Sequence, residues 1–385
     1  MTDYYNVSSY FNDEQLLIQS SVREWVNKSV KPKIGKYYQE GKPLPNVVRQ
    51  LAEVGAFGLT IPQEYGGFGM DFVSFGIMMQ ELERGDTSLR AMSSIQTSLV
   101  MHAINSFGSE VQKLKYLPKL ASGELLGAFG LTEPDFGSNP ASMHCHYKED
   151  GDNIIINGSK MWIGNSSECD IAVLWAKDPN KKIRGVIVDK DLITNFKTHL
   201  FKDKMSFKSS ITGELVFDQS VLPKSQLFEV SNGIKDAYEC LNIGRYSIAW
   251  GCVGIAIDCY ETALQYSKER VQFGVPIAKK QLVQKKLAEM ITAITKAQLL
   301  CYQLGVLMDK GEATYAQISM AKRDNATMAK FVASESRQIL GGMGISSEYP
   351  IMRHLMNLET LITYQGTHEI HLLITGRDIT GFDAI

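Results

Sequence analysis

The sequence contains few cysteines and few histidines, and neither group has the spacing of a metal site or a disulfide framework. Its six cysteines, at positions 145, 169, 240, 252, 259 and 301, form no CxxC pair, which indicates reduced thiols. His144 and His146 lie close together, as do His368 and His371, but no further ligand follows at the expected spacing. The sequence therefore predicts no metal site.

An excess of charge and a long apolar run are also missing. The 40 Lys and Arg residues nearly balance the 42 Asp and Glu residues, for a net charge of -2, so no broad electrostatic surface for nucleic acid or anionic membrane is expected. No stretch reaches the roughly 18 to 20 apolar residues that a membrane-spanning helix needs. The first residues carry Asp3, Asp13 and Glu14 without a basic or apolar segment. We therefore expect no targeting peptide and a cytoplasmic protein.

Length and composition are those of an ordinary globular protein with more than one module. Hydrophobic residues make up 44% and charged residues 21% of the chain, which excludes the disordered and fibrous classes. At 385 residues the chain exceeds the roughly 250 to 300 residues at which a single core stops growing. Two or three cooperating modules are the expectation.

Hydrophobic periodicity divides the chain into a helical, a β and a second helical module, so the predicted fold class is α+β. Residues 1–125 show helical apolar spacing in five segments: Glu14–Val30, Leu44–Val54, Phe72–Gly85, Ile95–Phe107 and Glu110–Ala121. Residues 126–232 contain short segments typical of strands: Asn153–Ile156, Lys160–Gly164, Asp170–Ala176, Gly185–Val188 and Gly213–Phe217. Residues 233–385 return to long amphipathic helices, which include Ile234–Glu269 and Gln281–Met308.

Within the β module, Asn157-Gly158 separates two apolar runs, Ile154–Ile156 and Met161–Ile163. Both central residues of the common two-residue hairpin turn favour positive φ, and Asn-Gly is the preferred pair there. The sequence predicts a β-hairpin at this point.

Two motifs in the last module suit a phosphorylated cofactor. The segment Glu269-Arg270-Val271-Gln272-Phe273-Gly274 contains an arginine that can form a bidentate hydrogen bond with phosphate. The segment Gln338–Gly344 contains glycines at 341, 342 and 344, which allow the backbone to approach a ligand closely. Each motif alone is weak, because a glycine pair usually ends a helix and such an arginine usually lies on a solvated face.

Five separated segments together resemble the acyl-CoA dehydrogenase family, over essentially the whole chain. They are the two motifs above, Leu126–Ser138, Lys160–Asn165 and the turn Tyr364–Thr367, in the family's order and spacing. The resemblance implies a three-domain fold with an N-terminal α-helical domain (1–125), a middle β-barrel (126–232) and a C-terminal four-helix bundle (233–385).

The same resemblance implies FAD as cofactor, bound across a subunit interface of a homotetramer. The implied flavin contacts are Phe129, Leu131, Thr132, Trp162, Gly164, Arg270, Phe273, Gln281, Gln338, Gly341, Gly342 and Thr367. The implied substrate is an acyl-CoA or acyl-carrier-protein thioester. Electron-transfer flavoprotein or another acceptor would take the electrons if the protein is redox-active.

Within the family, the chain resembles the glutaryl-CoA dehydrogenases and their short-chain neighbours in particular. Arg90 falls where those enzymes have an arginine for the distal carboxylate, and Glu83, Ser94 and Tyr364 stand in matching places. The resemblance adds Ser138 and Arg245 to the substrate contacts. A short-chain or dicarboxylic acyl group such as glutaryl is expected, but relatives with other substrates carry this arginine too, so the acyl group stays open.

Gln365 occupies the position of the family's catalytic glutamate. In the family a base removes the α-proton while the β-hydrogen leaves as hydride, and a carboxamide has no useful basicity near neutral pH. Some relatives carry the base on another helix, just before an arginine that corresponds to Arg245, but that position is Gly244. Of the other carboxylates, Glu83 is expected near the distal acyl end and Glu369 beyond the turn, so neither is the favoured substitute.

Gly164 is a second departure, since relatives commonly carry threonine or serine there, near flavin N5. Three functions follow from these observations. The first is a glutaryl-CoA-dehydrogenase-like oxidoreductase impaired in α-proton abstraction by Gln365, whether this residue is natural or introduced. The second is a natural non-oxidising flavoprotein that catalyses decarboxylation, elimination or cyclisation of an acyl thioester. The third is a catalytically silent acyl-thioester binding protein.

Overall fold

The structure is a computed structural model that describes residues 2–384. A helical unit begins the chain. Its α-helices are α1 (Asp13–Trp25), α2 (Lys31–Glu40), α3 (Val47–Glu53), α4 (Phe72–Gly85), α5 (Thr87–Ser94), α6 (His102–Phe107) and α7 (Glu110–Ala121). Local sequence fixes several starts, because Asn12 with Gln15 and Ser109 with Gln112 form reciprocal capping boxes before α1 and α7.

The helix predicted at Ile95–Phe107 is the second half of a longer one. A π-helical segment, Ile95–Met101, joins α5 to α6 without interruption, so the helix begins at Thr87. The Asp86 side chain caps it by accepting a hydrogen bond from the Ser88 N–H. Because the helix is continuous, Arg90, Ser94 and Ile95 all lie on it.

The middle unit is a curled seven-stranded sheet. Its strands are β1 (Gly127–Gly130), β2 (His146–Asp150), β3 (Asn153–Gly164), β4 (Ile171–Lys177), β5 (Ile183–Asp189), β6 (Phe196–Leu200) and β7 (Thr212–Pro223). The order is β1-β4-β2-β3-β7-β6, with β5 paired to β4. The β1–β4 pair is parallel, and the β3–β7 pair is antiparallel and long.

The predicted hairpin at Asn157-Gly158 is wrong. Both residues lie inside the continuous strand β3, where the register against β7 shifts between Ile156 and Gly158. Gly158 has φ 131°, and a Cβ there would come 2.8 Å from the Cα of Cys145. The dipeptide therefore forms a β-bulge, a second structure that exploits the positive φ of glycine.

The last unit is helical, and a short two-stranded ribbon interrupts it. Its elements are α8 (Ile234–Glu269), β8 (Val271–Gln272), β9 (Val275–Pro276), α9 (Gln281–Asp309), α10 (Tyr315–Leu340), α11 (Ile351–Leu361) and α12 (His368–Thr380). Helix α8 packs against α4, α9 and α10, and a single hydrophobic core joins these helices with α1 and α2. The two helical units therefore share a core. The sheet has one core of its own, and a further cluster packs β1, β4 and β5 against α6, α7 and the start of α8.

Two helices are long and apolar enough, by length and composition alone, to cross a membrane: α8 and α9. In α8 the most apolar stretch is 94% buried inside the protein, as in the core helix of a globular domain. The corresponding stretch of α9 is 39% buried.

Candidate active site

The turn between α11 and α12 carries the residue that the sequence singled out. Gln365 has φ 51° and Gly366 has φ 101°. A left-handed backbone costs a non-glycine residue about 1 kcal/mol or more, so the surrounding structure must hold it in place. Thr367 ends the turn by capping α12, its side chain accepting a hydrogen bond from the Ile370 N–H.

Two buried cations hold this turn by its carbonyl groups. Lys322 Nζ, on α10, donates to the carbonyl oxygens of Tyr364 at 3.1 Å and Gly366 at 2.8 Å. Arg245 Nε, on α8, donates to the Gln365 carbonyl at 2.9 Å. Three consecutive carbonyls are thus bound by ammonium or guanidinium groups, and the strained turn has a fixed orientation.

Neither cation has an acidic partner among residues 2–384. Lys322 is fully buried, and desolvation lowers its pKa to about 7. Desolvation also lowers the pKa of Arg245 to about 10. His371, buried behind Gly366, has a pKa lowered to about 2 by desolvation, with Lys322 and Arg245 contributing, so it is neutral. The surroundings of Gln365 are therefore electropositive and contain no balancing carboxylate.

The Gln365 side chain lies against α8. A Cβ built at Gly244 would come 2.4 Å from Gln365 Oε1 and 3.0 Å from Cδ, so only glycine leaves room for the carboxamide. Gln365 Oε1 is buried, and no hydrogen-bond donor reaches it within the described chain. Positions 244 and 365, at which the family resemblance implies a catalytic base, are in contact here, and neither carries a carboxylate.

The buried residues Glu83 and Arg90 form a second group with the half-buried Tyr364. Arg90 is 0% exposed; it donates through Nε to Glu83 and through Nη2 to the Tyr364 hydroxyl at 2.6 Å. Its pKa is raised despite desolvation, because Glu83 and Tyr364 favour the charged form. Burial raises the pKa of Tyr364 to about 12, so this hydroxyl stays protonated at neutral pH. One oxygen of Glu83, Oε1, is buried without a partner in the region the structure describes.

The face of α8 from Gly244 to Gly251, called the α8 stripe below, links the Gln365 turn to the Glu83–Arg90–Tyr364 group. Gly244 faces Gln365, and Gly251, two turns further on, leaves room for Glu83 and Arg90, since a Cβ there would lie 2.6 Å from Glu83 Oε2. Seven residues of helix span about 10 Å, at about 1.5 Å per residue.

A buried serine pair lies between the ends of this stripe. Ser247 Oγ is 2.7 Å from Ser94 Oγ, and it donates to the Gly244 carbonyl at 2.7 Å. The predicted substrate residues Glu83, Arg90, Ser94, Arg245 and Tyr364 therefore surround one region between α4, α5, α8 and the Gln365 turn.

A third group faces the sheet. Phe129 and Leu131 are buried at the end of β1, and the Thr132 carbonyl accepts from the Met161 N–H of β3 at 2.8 Å. Trp162 has φ 62° and is 59% exposed. A large aromatic surface on a strained strand position is available for stacking.

Gly164, at the end of β3, has a specific neighbour. A Cβ there would come 2.4 Å from Ile95 Cδ1. The isoleucine methyl thus fills the place that a threonine or serine side chain would take.

The other cofactor residues predicted from the sequence lie on the outside of the C-terminal helical unit. Phe273 is 91% exposed with φ 51°, and with Gln338 it lines a groove of about 520 Å³ beside Lys280 and Lys286. Exposed Arg270 begins the ribbon before this groove, and Gln281 begins α9. Gly341 and Gly342 are exposed, and a Cβ on either would meet only open space.

Two further residues stay outside these groups. Ser138 is exposed in the loop between β1 and β2, and no hydrogen bond within the described chain joins it to Arg90 or Gln365. Glu369 is exposed on α12, and Glu83 is paired with Arg90, so neither points to a relocated base. Within residues 2–384 no group of three or more His, Cys, Asp or Glu side chains could hold a metal ion.

Sequence reasoning missed Lys322, Ser247 and Ile95. A signal for Lys322 was present, since it falls on the apolar stripe of α10 with Ile318, Asn325 and Ala329, all buried. A lysine at a core position of an amphipathic helix needs a special partner. Ser247 and Ile95 gave no such signal, because their neighbours come from distant parts of the chain.

Comparison with known proteins covers all three units. Family profiles match residues 12–124 (acyl-CoA dehydrogenase, N-terminal domain), 128–220 (middle domain) and 231–380 (C-terminal domain). The glutaryl-CoA dehydrogenase of Desulfococcus multivorans is 34% identical over 377 residues, which are 96% of this chain and 97% of that protein. A crystal structure of glutaryl-CoA dehydrogenase from Mycobacterium smegmatis superposes with a TM-score of 0.95 at 42% identity, covering 98% of this chain and 97% of that one.

A second structure, described as a glutaryl-CoA dehydrogenase from Mycobacterium smegmatis in complex with FADH2, has a TM-score of 0.96 at 38% identity and covers 99% of this chain and 98% of that one. The agreement extends over the helical, β and second helical units together. The chain belongs to the acyl-CoA dehydrogenase family.

Proposed function

We propose that this protein is an FAD-dependent, glutaryl-CoA-dehydrogenase-like flavoprotein that binds a short-chain or dicarboxylic acyl-CoA and is impaired in α-proton abstraction. The observation that carries the proposal is the contact between Gln365 and Gly244. The family's two base positions meet at this contact, and a carboxamide and a glycine occupy them. A carboxamide cannot accept the α-proton near neutral pH.

The acyl chain would lie along the α8 stripe, from Gln365 to Arg90. The stripe is about 10 Å long. An acyl group of four or five carbons spans about 5 Å, and a hydrogen bond of about 3 Å at each of its ends brings the total to a similar length. Arg90 offers a guanidinium to a distal carboxylate, and Glu83 offsets its charge when no carboxylate is present. Tyr364 keeps its proton and remains a donor at that end.

The residues present fit FAD. Phe129, Leu131, Thr132 and Trp162 offer an apolar wall and a stacking surface for a flavin ring. The groove beside Phe273 and Gln338 carries Lys280, and Lys286 at its edge is paired with Glu335. With exposed Arg270 nearby, this groove suits a phosphate-bearing ligand. Bound flavin would supply hydride acceptance at N5. Phe273 is 91% exposed, and in a homotetramer it would complete the flavin site of a neighbouring subunit.

A second candidate is a non-oxidising reaction of an acyl thioester, such as decarboxylation, elimination or cyclisation. The observation that favours it is the intact Glu83–Arg90–Tyr364 group beside a position that lacks a base. Loss of the distal carboxylate of glutaconyl-CoA as CO₂ leaves the electron pair of the broken C–C bond in a dienolate, which a polarised thioester carbonyl stabilises, and a proton from water then restores the carbon. This step needs no α-proton abstraction. Product analysis after incubation with glutaryl-CoA and glutaconyl-CoA distinguishes this candidate from simple binding.

The direct test follows flavin absorbance without oxygen. The flavin-loaded protein, its Gln365→Glu variant and a Gln365→Met control are mixed with glutaryl-CoA and butyryl-CoA. We expect only the glutamate variant to bleach its flavin, at a rate at least about 10²-fold higher, since a placed general base contributes about 10²- to 10⁴-fold. Bleaching of the unaltered protein at the rate of the glutamate variant would show that another base acts, and the proposal would be wrong.

A further inference from the structure

We propose that Lys322 is a positioning residue that aims the backbone N–H of Gln365 at the thioester carbonyl and strengthens it as a hydrogen-bond donor. This inference rests on the proposed function, because it assigns the N–H to a bound acyl thioester. It concerns polarisation of the carbonyl, which does not depend on whether residue 365 carries a base.

The geometry starts from the peptide group between Tyr364 and Gln365. In a trans peptide, the C=O and the following N–H point in opposite directions. Lys322 binds the Tyr364 carbonyl at 3.1 Å, so the N–H of Gln365 points away from α10. Within residues 2–384 this N–H, on the half-buried Gln365, donates to no backbone or side-chain acceptor. A free donor held in a fixed direction is suited to a ligand oxygen.

The charge of Lys322 adds to this effect. Its ammonium group is fully buried, has no carboxylate partner in the described chain and contacts the carbonyls on both sides of Gln365. A cation on a carbonyl oxygen polarises the peptide and makes its N–H a stronger donor, and a water-poor interior preserves the effect. A lysine that served only to fasten the turn would need hydrogen bonds but no charge.

This difference can be measured on the bound substrate. Glutaryl-CoA labelled with ¹³C at the thioester carbonyl is added to the flavin-loaded protein, and isotope-edited infrared difference spectroscopy follows its C=O stretch. Binding should shift the band to lower wavenumber. Lys322→Gln, which keeps a donor but loses the charge, should lose roughly 10 to 30% of that shift. Lys322→Arg, which keeps the charge, should retain most of it, and Lys330→Met, an exposed change on the same helix, should retain all of it.

The unaltered protein provides a second measurement that needs no variant. The groups that face Lys322 are Arg245 and Cys252 on α8, Arg90 on α5, and His368 and His371 on α12. Burial raises the pKa of Cys252 to about 12, and the pKa of Arg245 is about 10. Burial lowers the pKa of His368 and takes that of His371 to about 2.

Between about pH 6 and pH 9 Lys322 is therefore the member of this group that titrates through its midpoint. Because Lys322 is charged below its pKa of about 7, the band shift should be large at the acid end of this range and smaller at the alkaline end.

The possible outcomes separate this inference from the proposed function. Failure of the unaltered protein to bind either glutaryl-CoA or butyryl-CoA would overturn both. Binding with a full band shift in Lys322→Gln would overturn only the role of Lys322. A reduced shift in Lys322→Gln, with glutaryl-CoA affinity changed by less than about tenfold, supports it; if this variant does not fold, Lys322→Met, which also loses the charge, takes its place in the same measurement.

Discussion

The carboxamide of Gln365 occupies the space that a side chain at position 244 would need. A Cβ at Gly244 would lie 2.4 Å from Gln365 Oε1. A base on α8 and a long side chain on the turn therefore exclude each other in this protein. In this protein the shared space holds an amide.

The first prediction exchanges the two side chains. Gly244→Glu alone should destabilise the protein, because overpacking of a filled site costs about 1 to 3 kcal/mol. Gly244→Glu combined with Gln365→Gly should restore stability, since glycine frees the shared space and accepts the positive φ. The combined variant should bleach its flavin with an acyl-CoA. Urea unfolding and anaerobic flavin absorbance measure the two effects.

The matched control for this exchange is Gly244→Glu combined with Gln365→Glu, which crowds two carboxylates into one space. This variant should be the least stable of the set. If Gly244→Glu alone is as stable as the unaltered protein, Gln365 moves aside easily and the mutual exclusion is incorrect.

The second prediction concerns the buried pair of Arg90 and Glu83. Arg90→Met removes the cation and leaves Glu83 buried with no compensating charge, so the free energy of unfolding should fall by about 3 to 5 kcal/mol. Changing Glu83→Gln in the same chain removes the orphaned charge and should recover part of this loss. Urea denaturation of the three proteins at neutral pH tests the relationship.

Exposed Arg49, paired with Glu53 at 2.8 Å, is the control for losing an arginine. Arg49→Met should change stability by at most about 1 kcal/mol. A similar small effect for Arg90→Met would mean that Glu83 finds another partner or takes up a proton, and the pair would not be the structural unit described above.

The sequence predicts the secondary structure and the chemistry of the site better than it predicts which distant side chains come into contact. Helical and β modules follow from periodicity, which records which face of a segment is buried. The importance of residue 365 follows from a motif of a few contiguous residues. Lys322, by contrast, reaches the turn from α10, and its role becomes visible only when the two carbonyls it binds are in place.

The misassigned Asn157-Gly158 hairpin shows the same limit. A local pattern predicts positive φ but not whether the chain reverses there, and the pairing of β3 with β7 along its whole length decides for a bulge. Long-range pairing overrides a short turn signal whenever it satisfies more backbone hydrogen bonds.

The third prediction follows from this bulge. Gly158→Ala should destabilise the protein by about 2 kcal/mol or more, because the new methyl meets the Cys145 backbone at 2.8 Å as well as an unfavourable φ. Gly151→Ala isolates the backbone effect, since Gly151 has φ 58° with open space around it, and should cost about 1 kcal/mol. If Gly158→Ala and Gly151→Ala lower the free energy of unfolding in urea equally, β3 adjusts around the added methyl.

The fourth prediction concerns Ile95 and Gly164. Gly164→Ala places a methyl 2.4 Å from Ile95 Cδ1 and should cost about 1 to 3 kcal/mol. Ile95→Val removes that Cδ1 and alone should cost about 0.5 to 1.5 kcal/mol. Because each change relieves the other, the double variant should be more stable than the sum of the single effects by about 1 kcal/mol. Urea unfolding of the four proteins gives this coupling energy.

Gly376→Ala serves as the control, since a Cβ there meets open space inside α12, and it should be neutral or stabilising by up to about 1 kcal/mol.

A coupling energy of zero would mean that Ile95 turns away freely when a side chain is added at 164. A double variant more stable than the sum of the single effects would show that Ile95 Cδ1 and a side chain at 164 compete for the same space. In that case Gly164→Thr should be accepted only together with Ile95→Val, and flavin content after purification would report whether the cofactor site survives in each protein.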